Sequence, residues 1–460
     1  MLLVPRWVRL VSTGRVHGNG RDNESTIEWK EGPPLSVFIF SSMDHANQIE
    51  LVLKQLLPGD SEKVRAILSR IVDKDDLYKQ RLLSVLQSEQ SQSYFQKDHY
   101  QNTYREGAFF DYEKSTEFSA ILGMIFGKVD FQNQLARRDD HITRNCSSEQ
   151  IQNGLEEEGY FVFPERLPEP LVDKIIEGLQ SGLFNLKLSH KLFKIQSPQD
   201  LEKIKDNTCW IFDQQHIIQI EEVQRLIMDP VLLDSMQEFL GCPPIHVQAN
   251  SWWSKAELSD SASFNRNAQL FHQDKEFIKF LKIFIYLNDV NEENGPHNYI
   301  AGSNKDYLEH TPKGYQISER LSDEYLSSVY PKDRFRSFTG AKGTVIIEDT
   351  SGFHKGKPVM KGYRQLLQLE FVSSLYFNPV PCFSPDQLSP EYQNFLKNNP
   401  RVALNYNHEK YKKDLLIIHA ARRKNILLNA KRKIGKIVSM LSKKGGSAES
   451  TSTPQNMSMR

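Results

Sequence analysis

The spacing of apolar residues changes character about a third of the way along the chain. Residues 46–88 place them at helical intervals, with a break at Pro58-Gly59. Ser61 is the expected cap of the second helix, which Glu62 and Lys63 open. Ahead of them, residues 35–41 (LSVFIFS) are short, apolar and preceded by Gly-Pro-Pro, the pattern of a buried strand. Residues 1–145 therefore read as a mixed α/β region. Residues 89–105 are polar and aromatic without a period and suit a loop or linker. No catalytic constellation and no internal repeat stand out in this first region.

From about residue 147 the pattern alternates. Residues 159–163 (GYFVF) predict a strand, and Pro168 and Pro170 open a helix over 171–183. A second helix is expected over 222–241, closed by Gly241 and the following Cys242-Pro-Pro. Strands are then expected at 245–253, 268–272, 281–287, 344–348 and 365–372, with turn signals such as Asn294-Gly295 between them. Short strands behind a helical lead-in predict an α+β chain whose core is a β-sandwich or barrel flanked by helices. The charged, aromatic stretch 305–340 interrupts the strands and has the length of a lid.

The chemistry concentrates in F-H-Q-D at 271–274. His272 and Asp274 are two apart on a strand-like segment, so their side chains share a face. His354 follows in G-T-V-I-I-E-D-T-S-G-F-H (343–354). Two imidazoles and one carboxylate on one face of an ion leave three positions open, the facial arrangement of non-haem Fe(II) oxygenases. Ten residues on, Arg364 opens the apolar run R-Q-L-L-Q-L-E-F-V, and a guanidinium there can clasp a carboxylate through two nitrogens. Gln269, three residues before His272, is within reach as a neutral donor. An H-x-D tripeptide alone recurs by chance, and its context gives it weight. His216, His297 and His310 lack such context and read as surface or loop residues.

In this order and spacing, five pieces resemble the phytanoyl-CoA dioxygenase family of Fe(II)/2-oxoglutarate oxygenases. They are L-E-E-E-G-Y-F-V-F-P (155–164), Q-L-F-H-Q-D (269–274), N-E-E-N-G-P-H-N-Y-I-A-G-S-N (291–304), residues 343–354 and Arg364. The resemblance spans roughly residues 150–378. It implies a double-stranded β-helix, or jelly roll, with helices outside one sheet. It implies that His272, Asp274 and His354 ligate Fe(II), that Arg364 binds the distal carboxylate of 2-oxoglutarate, and that Gln269 assists. Phe284 or Tyr286 falls where the family sets an aromatic against the co-substrate. Asn304 stands where the family often has His, a departure expected to touch only a turn. The carboxylate at Asp274 favours hydroxylation, since halogenating relatives replace it with a small residue. The implied activity is hydroxylation of a small-molecule or lipid-like substrate by dioxygen, with release of succinate and CO2. Two other readings stay open: a cupin-like metal enzyme that does not use 2-oxoglutarate, and a non-catalytic interaction protein in which residues 1–145 and the basic tail do the work, a reading that ligand side chains pointing apart would favour.

Composition adjusts this picture at the ends. The 460 residues are enough for two or three domains, and 25% charged with 39% hydrophobic residues is the globular range. We divide the chain into residues 1–145, a catalytic 146–380, a helical extension 381–444 and a polar tail 445–460. Net charge is zero from 58 basic and 58 acidic residues. Residues 415–444 hold nine Lys/Arg and no acid, which leaves 49 against 58, a net −9, for the rest. That basic segment, with its interspersed Leu and Ile, has the chemistry to meet an anionic lipid or acidic partner, although a helix packed on the acidic remainder is the simpler expectation. No nucleic-acid partner is expected. The four cysteines form no CxxC pair, which suggests a reducing compartment and a cytoplasmic location. Four arginines without an acid in the first 21 residues read as an ordinary basic N-terminus, because Pro5 and three glycines oppose an amphipathic targeting helix.

Overall fold

The structure is a computed structural model. It describes residues 43–91, 108–186, 192–203, 208–211, 213–256, 269–316, 319–376 and 380–411. The strand expected at 35–41, most of the linker 92–105, the basic segment beyond residue 411 and the tail lie outside the described residues. The chain divides into two compact units, Met1–Asp44 and His45–Arg460, and every described helix and strand belongs to the second.

Four helices come first: α1 (His45–Leu56), α2 (Ser61–Ile71), α3 (Asp76–Ser91) and α4 (Tyr112–Phe126). Ile49, Val52 and Leu53 of α1 and Leu82, Val85 and Leu86 of α3 are buried as these two helices pack together. The cap of α2 is Asp60 rather than Ser61: its carboxylate accepts from the Lys63 N–H at 3.0 Å. Both residue types cap well, and the one whose oxygen reaches the third amide wins. Among the described residues, 43–145 contain helices and no strand.

The remainder is built on antiparallel sheets with helices against one of them, an α+β architecture. An eight-stranded sheet has the order β1-β9-β6-β11-β5-β4-β2-β3 and a three-stranded sheet the order β10-β7-β8. The strands are β1 (Tyr160–Val162), β2 (Phe184–Leu186), β3 (Leu192–Phe193), β4 (Thr208–Ile211), β5 (Ile245–Lys255), β6 (Phe280–Tyr286), β7 (His297–Ile300), β8 (Phe335–Phe338), β9 (Val345–Glu348), β10 (His354–Gly356) and β11 (Tyr363–Val372). The expected strands at 159–163, 245–253, 281–287, 344–348 and 365–372 are all present. The one expected at 268–272 is reduced to isolated bridges at Phe271 and His272.

Alternation on β6 and β11 divides the interior. Leu281, Ile283, Ile285, Leu367 and Leu369 face a large core shared with α5 (Ser148–Glu157), α6 (Glu169–Gln180), α7 (Glu221–Ile227), α8 (Pro230–Leu240) and α9 (Pro390–Asn398). Phe284, Tyr286 and Leu366 point the other way, into a second cluster with Trp252, Tyr299 and Phe338. This second face carries the candidate chemistry. The single helix expected over 222–241 is two helices. Asp229 ends the first run, accepts from the Leu232 N–H at 3.2 Å and presents Pro230 at the start of α8. Gly241 closes α8 in the left-handed region at φ 76°, as expected. Among the described residues, no helix is long and apolar enough to cross a membrane, and Cys146, Cys242 and Cys382 are buried.

Candidate metal centre

His272 and His354 are direct neighbours across an antiparallel bridge. Each backbone N–H donates to the other's carbonyl at 3.0 Å, and the ring centroids are 4.3 Å apart. Asp274 is fixed two residues on, where its N–H donates to Thr350 O at 2.8 Å. His272 Nδ1 donates to Leu270 O and His354 Nδ1 to Gly352 O, both at 3.0 Å. A carbonyl can only accept, so each Nδ1 carries a proton, and in the neutral imidazole that tautomer leaves the Nε2 lone pair for the site. One ligand atom from each of the three residues falls within 4.8 Å of the others. Asp274 Oδ2 is 3.3 Å from His354 Nε2, and Oδ1 is 3.8 Å from His272 Nε2.

The electrostatics suit ligation. Burial, reinforced by the charge of His354, holds the His272 imidazole well below its ordinary value and therefore neutral. Burial alone would push the Asp274 carboxyl up, but the Lys282 ammonium and the imidazoles outweigh it and keep Asp274 well below the usual carboxylate range. Two imidazole nitrogens and an ionised carboxylate form an N2O donor set for a divalent first-row metal, and the residues present fit such an ion. Side chains pointing apart would have favoured the interaction-protein reading; these three converge.

Arg364 opens β11, and its guanidinium is buried. Nη1 donates to Gly295 O, while Nε has no acceptor among the described residues. Burial lowers its tendency to stay charged. A Cβ added at Gly356 would lie 2.7 Å from Nη2, so the glycine leaves the space the guanidinium occupies. A buried guanidinium with an unused N–H is suited to a carboxylate. Gln269 is also buried, and its side-chain oxygen has no donor among the described residues. The Phe284 ring stacks on His297 at 4.7 Å and meets Trp252 edge-on at 6.4 Å. Tyr286 is committed elsewhere: its hydroxyl donates to Phe338 O at 2.6 Å and accepts from the His297 N–H at 3.0 Å.

Several findings correct the sequence expectations. His297 is buried on β7, not at the surface. Its Nε2 is 2.7 Å from Glu348 Oε1, and its ring centroid is 5.8 Å from that of His354. Burial pushes Glu348 up to about 8 and pulls His297 down to about 3, so the pair is neutral at pH 7. His216 is on a short helix with Nε2 2.9 Å from Gly178 O. Asn304 does more than shape a turn: it is buried and donates to Asp349 Oδ2 at 3.0 Å. The stretch 305–340 contains β8 and is stitched to the metal-site backbone. The Leu321 N–H donates to Phe271 O at 3.0 Å, and Lys355 holds both Asp323 oxygens at 2.6 Å. Sequence reasoning also missed Lys282, the one charge in the apolar strand F-L-K-I-F-I-Y.

Residues 155–362 match the model of the phytanoyl-CoA dioxygenase (PhyH) family. Over these residues, somewhat under half of the chain, the sequence is similar to that family. No curated protein matches the chain. Among solved structures, AviO1 from Streptomyces viridochromogenes Tue57 is similar at 12% identity and TM-score 0.32, over 51% of this chain and 98% of that one. HygX from Streptomyces hygroscopicus, solved with nickel and 2-oxoglutarate bound, is similar at 15% identity and TM-score 0.33, over 49% and 86%. The epimerase SnoN, solved in complex with Fe3+, alpha ketoglutarate and nogalamycin RO, is similar at 14% identity and TM-score 0.34, over 49% and 83%.

Proposed function

We propose that the protein is a non-haem Fe(II)- and 2-oxoglutarate-dependent dioxygenase that hydroxylates a small-molecule or lipid-like substrate. The observation that carries this reading is the convergence of His272, Asp274 and His354 within a phytanoyl-CoA dioxygenase domain. The two sheets are read as the halves of a jelly roll, with catalysis assigned to residues 146–380. His272 and His354 would hold Fe(II) through their Nε2 lone pairs, and Asp274 would hold it through a carboxylate oxygen. Bound there, Fe(II) supplies the open coordination positions and redox chemistry that couple decarboxylation of 2-oxoglutarate, with release of succinate and CO2, to oxidation of the substrate.

The chain's own residues bind and orient. Arg364 receives the distal carboxylate through its unused N–H, and its buried setting strengthens that charged pair. Gln269 offers its amide to the co-substrate. Phe284, stacked on His297, gives the co-substrate a flat apolar wall and helps keep water out. The test is an anaerobic titration of the Fe(II) protein with 2-oxoglutarate, followed by its metal-to-ligand charge-transfer band, together with aerobic succinate formation. Band and succinate are expected for the native protein and neither for Asp274→Ala. Unchanged turnover by Asp274→Ala refutes the proposal.

A further inference from the structure

Lys282 is out of keeping with its surroundings. It occupies the middle of β6, where all seven residues are buried, and its side chain is only 8% exposed. An ammonium in such a place needs partners, since an isolated buried charge is costly. Strand register supplies them. Lys282 lies directly opposite Glu370 of β11 on one side and Glu348 of β9 on the other. Its Nζ does not bond closely to the strand neighbours, however. Glu370 Oε1 is 3.9 Å away and Glu276 Oε1 is 3.8 Å away, whereas Asp274 Oδ2 is 2.6 Å away. The short contact goes to the one carboxylate in the candidate metal triad.

We propose that Lys282 is a positioning residue that occupies one oxygen of Asp274, so that this carboxylate ligates through a single oxygen and leaves the remaining coordination positions to the co-substrate. The inference rests on the Fe(II)/2-oxoglutarate reading above. A carboxylate free to rotate can chelate through both oxygens and take up a position that a bidentate keto acid needs. The ammonium prevents this in two ways. Its hydrogen bond fixes the carboxylate plane, and its charge weakens the second oxygen as a donor. It also offsets the charge of Asp274, so the full dipositive charge of the ion remains for a dianionic ligand. Glu276 Oε1 and Glu370 Oε1 stand further from the ammonium, at 3.8 and 3.9 Å.

This role predicts opposite behaviour of metal and co-substrate. In Lys282→Met, the loss of orientation weakens metal binding while the loss of the nearby positive charge strengthens it. Fe(II) affinity should therefore stay within about threefold of native, although losing a group that orients a metal ligand commonly costs about 10–100-fold. The affinity for 2-oxoglutarate should fall by about tenfold or more. Lys282→Arg, which keeps a cation and a donor, should recover most of the co-substrate affinity. If Lys282→Met folds poorly because Glu370 is stranded, Lys282→Met/Glu370→Gln removes the stranded charge and should show the same split. The measurements are anaerobic Fe(II) titration by tryptophan fluorescence and 2-oxoglutarate titration of the Fe(II) protein by its charge-transfer band, with melting temperature alongside. Metal and co-substrate affinity falling together overturns the proposal and marks Lys282 as merely structural, and so does native 2-oxoglutarate affinity in the variants. A native protein that gives no band at all overturns the functional reading instead.

Discussion

Replacing Gly356 with alanine should damage co-substrate binding while sparing the metal. A Cβ there would lie 2.7 Å from Arg364 Nη2 and 3.4 Å from Nη1. Relaxed contacts begin near 3.5 Å, so the guanidinium must retreat by about 0.8 Å. The atom struck is the far end of a flexible side chain, and Gly356 is not in the left-handed region. The folding cost should therefore be about 1 kcal/mol, at the low end for overpacking. The cost at the site is larger. A misaligned hydrogen bond to a charged partner forfeits about 1.5–3 kcal/mol. At 1.4 kcal/mol per decade, that is roughly 10- to 100-fold in affinity. Succinate formation measured against 2-oxoglutarate concentration should show KM raised by about that factor and kcat nearly native, the signature of lost uniform binding. Fe(II) affinity should be unchanged, because the His354 ring is fixed by its own hydrogen bond to Gly352 O. A native KM would refute the assignment of Arg364 to the co-substrate. A collapse of kcat and melting temperature together would refute it too, because the fold would then be what had failed.

Three further outcomes are expected. Arg401 Nη1 is 3.0 Å from Glu89 Oε2, and the Glu89 side chain is only 2% exposed, so Arg401→Met should cost about 3–5 kcal/mol in urea unfolding by stranding that carboxylate. Arg401→Met/Glu89→Gln should recover much of this loss, and additive single effects would contradict the pairing. His246 is buried with Nδ1 2.6 Å from the Tyr406 hydroxyl, and burial pulls it down to about 3, so the folded state keeps it neutral while the unfolded chain protonates it near 6.5. Its contribution to stability is therefore full above about pH 6.5 and falls by up to about 1.4 kcal/mol per unit as pH drops towards 3, a slope that His246→Gln should flatten in acid unfolding. Finally, chelating divalent metal should lower the melting temperature, and Fe(II) restored anaerobically at 100 times its dissociation constant should return about 2.7 kcal/mol to the native protein. The same addition should leave Asp274→Ala unmoved, and an equal response in both would place the ion elsewhere.

Much of the scaffold was readable because its signals are local. β6 and β11 are apolar runs of strand length, and His272, Asp274 and Arg364 belong to motifs that short spacing defines. Where two local signals competed, one-dimensional reading went astray. Apolar periodicity carried a helix through 222–241, although Asp229-Pro230 marks a fresh start that the capping carboxylate enforces. The surroundings of the candidate metal site were unreadable for a different reason. His297 looked idle because its partner Glu348 is 51 residues away and meets it only when the small sheet closes over β9.

Even so, those charges left a trace that register would have exploited. β9 reads V-I-I-E, β6 reads F-L-K-I-F-I-Y and β11 reads Y-R-Q-L-L-Q-L-E-F-V. β9 and β6 carry one charge each among apolar residues, and β11 carries one beyond its opening Arg364. A lone ammonium or carboxylate in a fully buried run cannot be left unpaired. Placing Lys282 opposite the acidic residues Glu348 and Glu370 gives both the order β9-β6-β11 and the residues that face one another, which is the register observed, although Glu348 then turns to His297. The same matching sets Lys282 on the inner face, beside whatever else is charged there. Glu276 and Asp274, from the preceding segment, are the nearest acidic residues before it in sequence, and both come to its ammonium, at 3.8 and 2.6 Å. A cation beside the acidic residues of the segment that carries the candidate ligand Asp274 thus follows from the cost of burying charge.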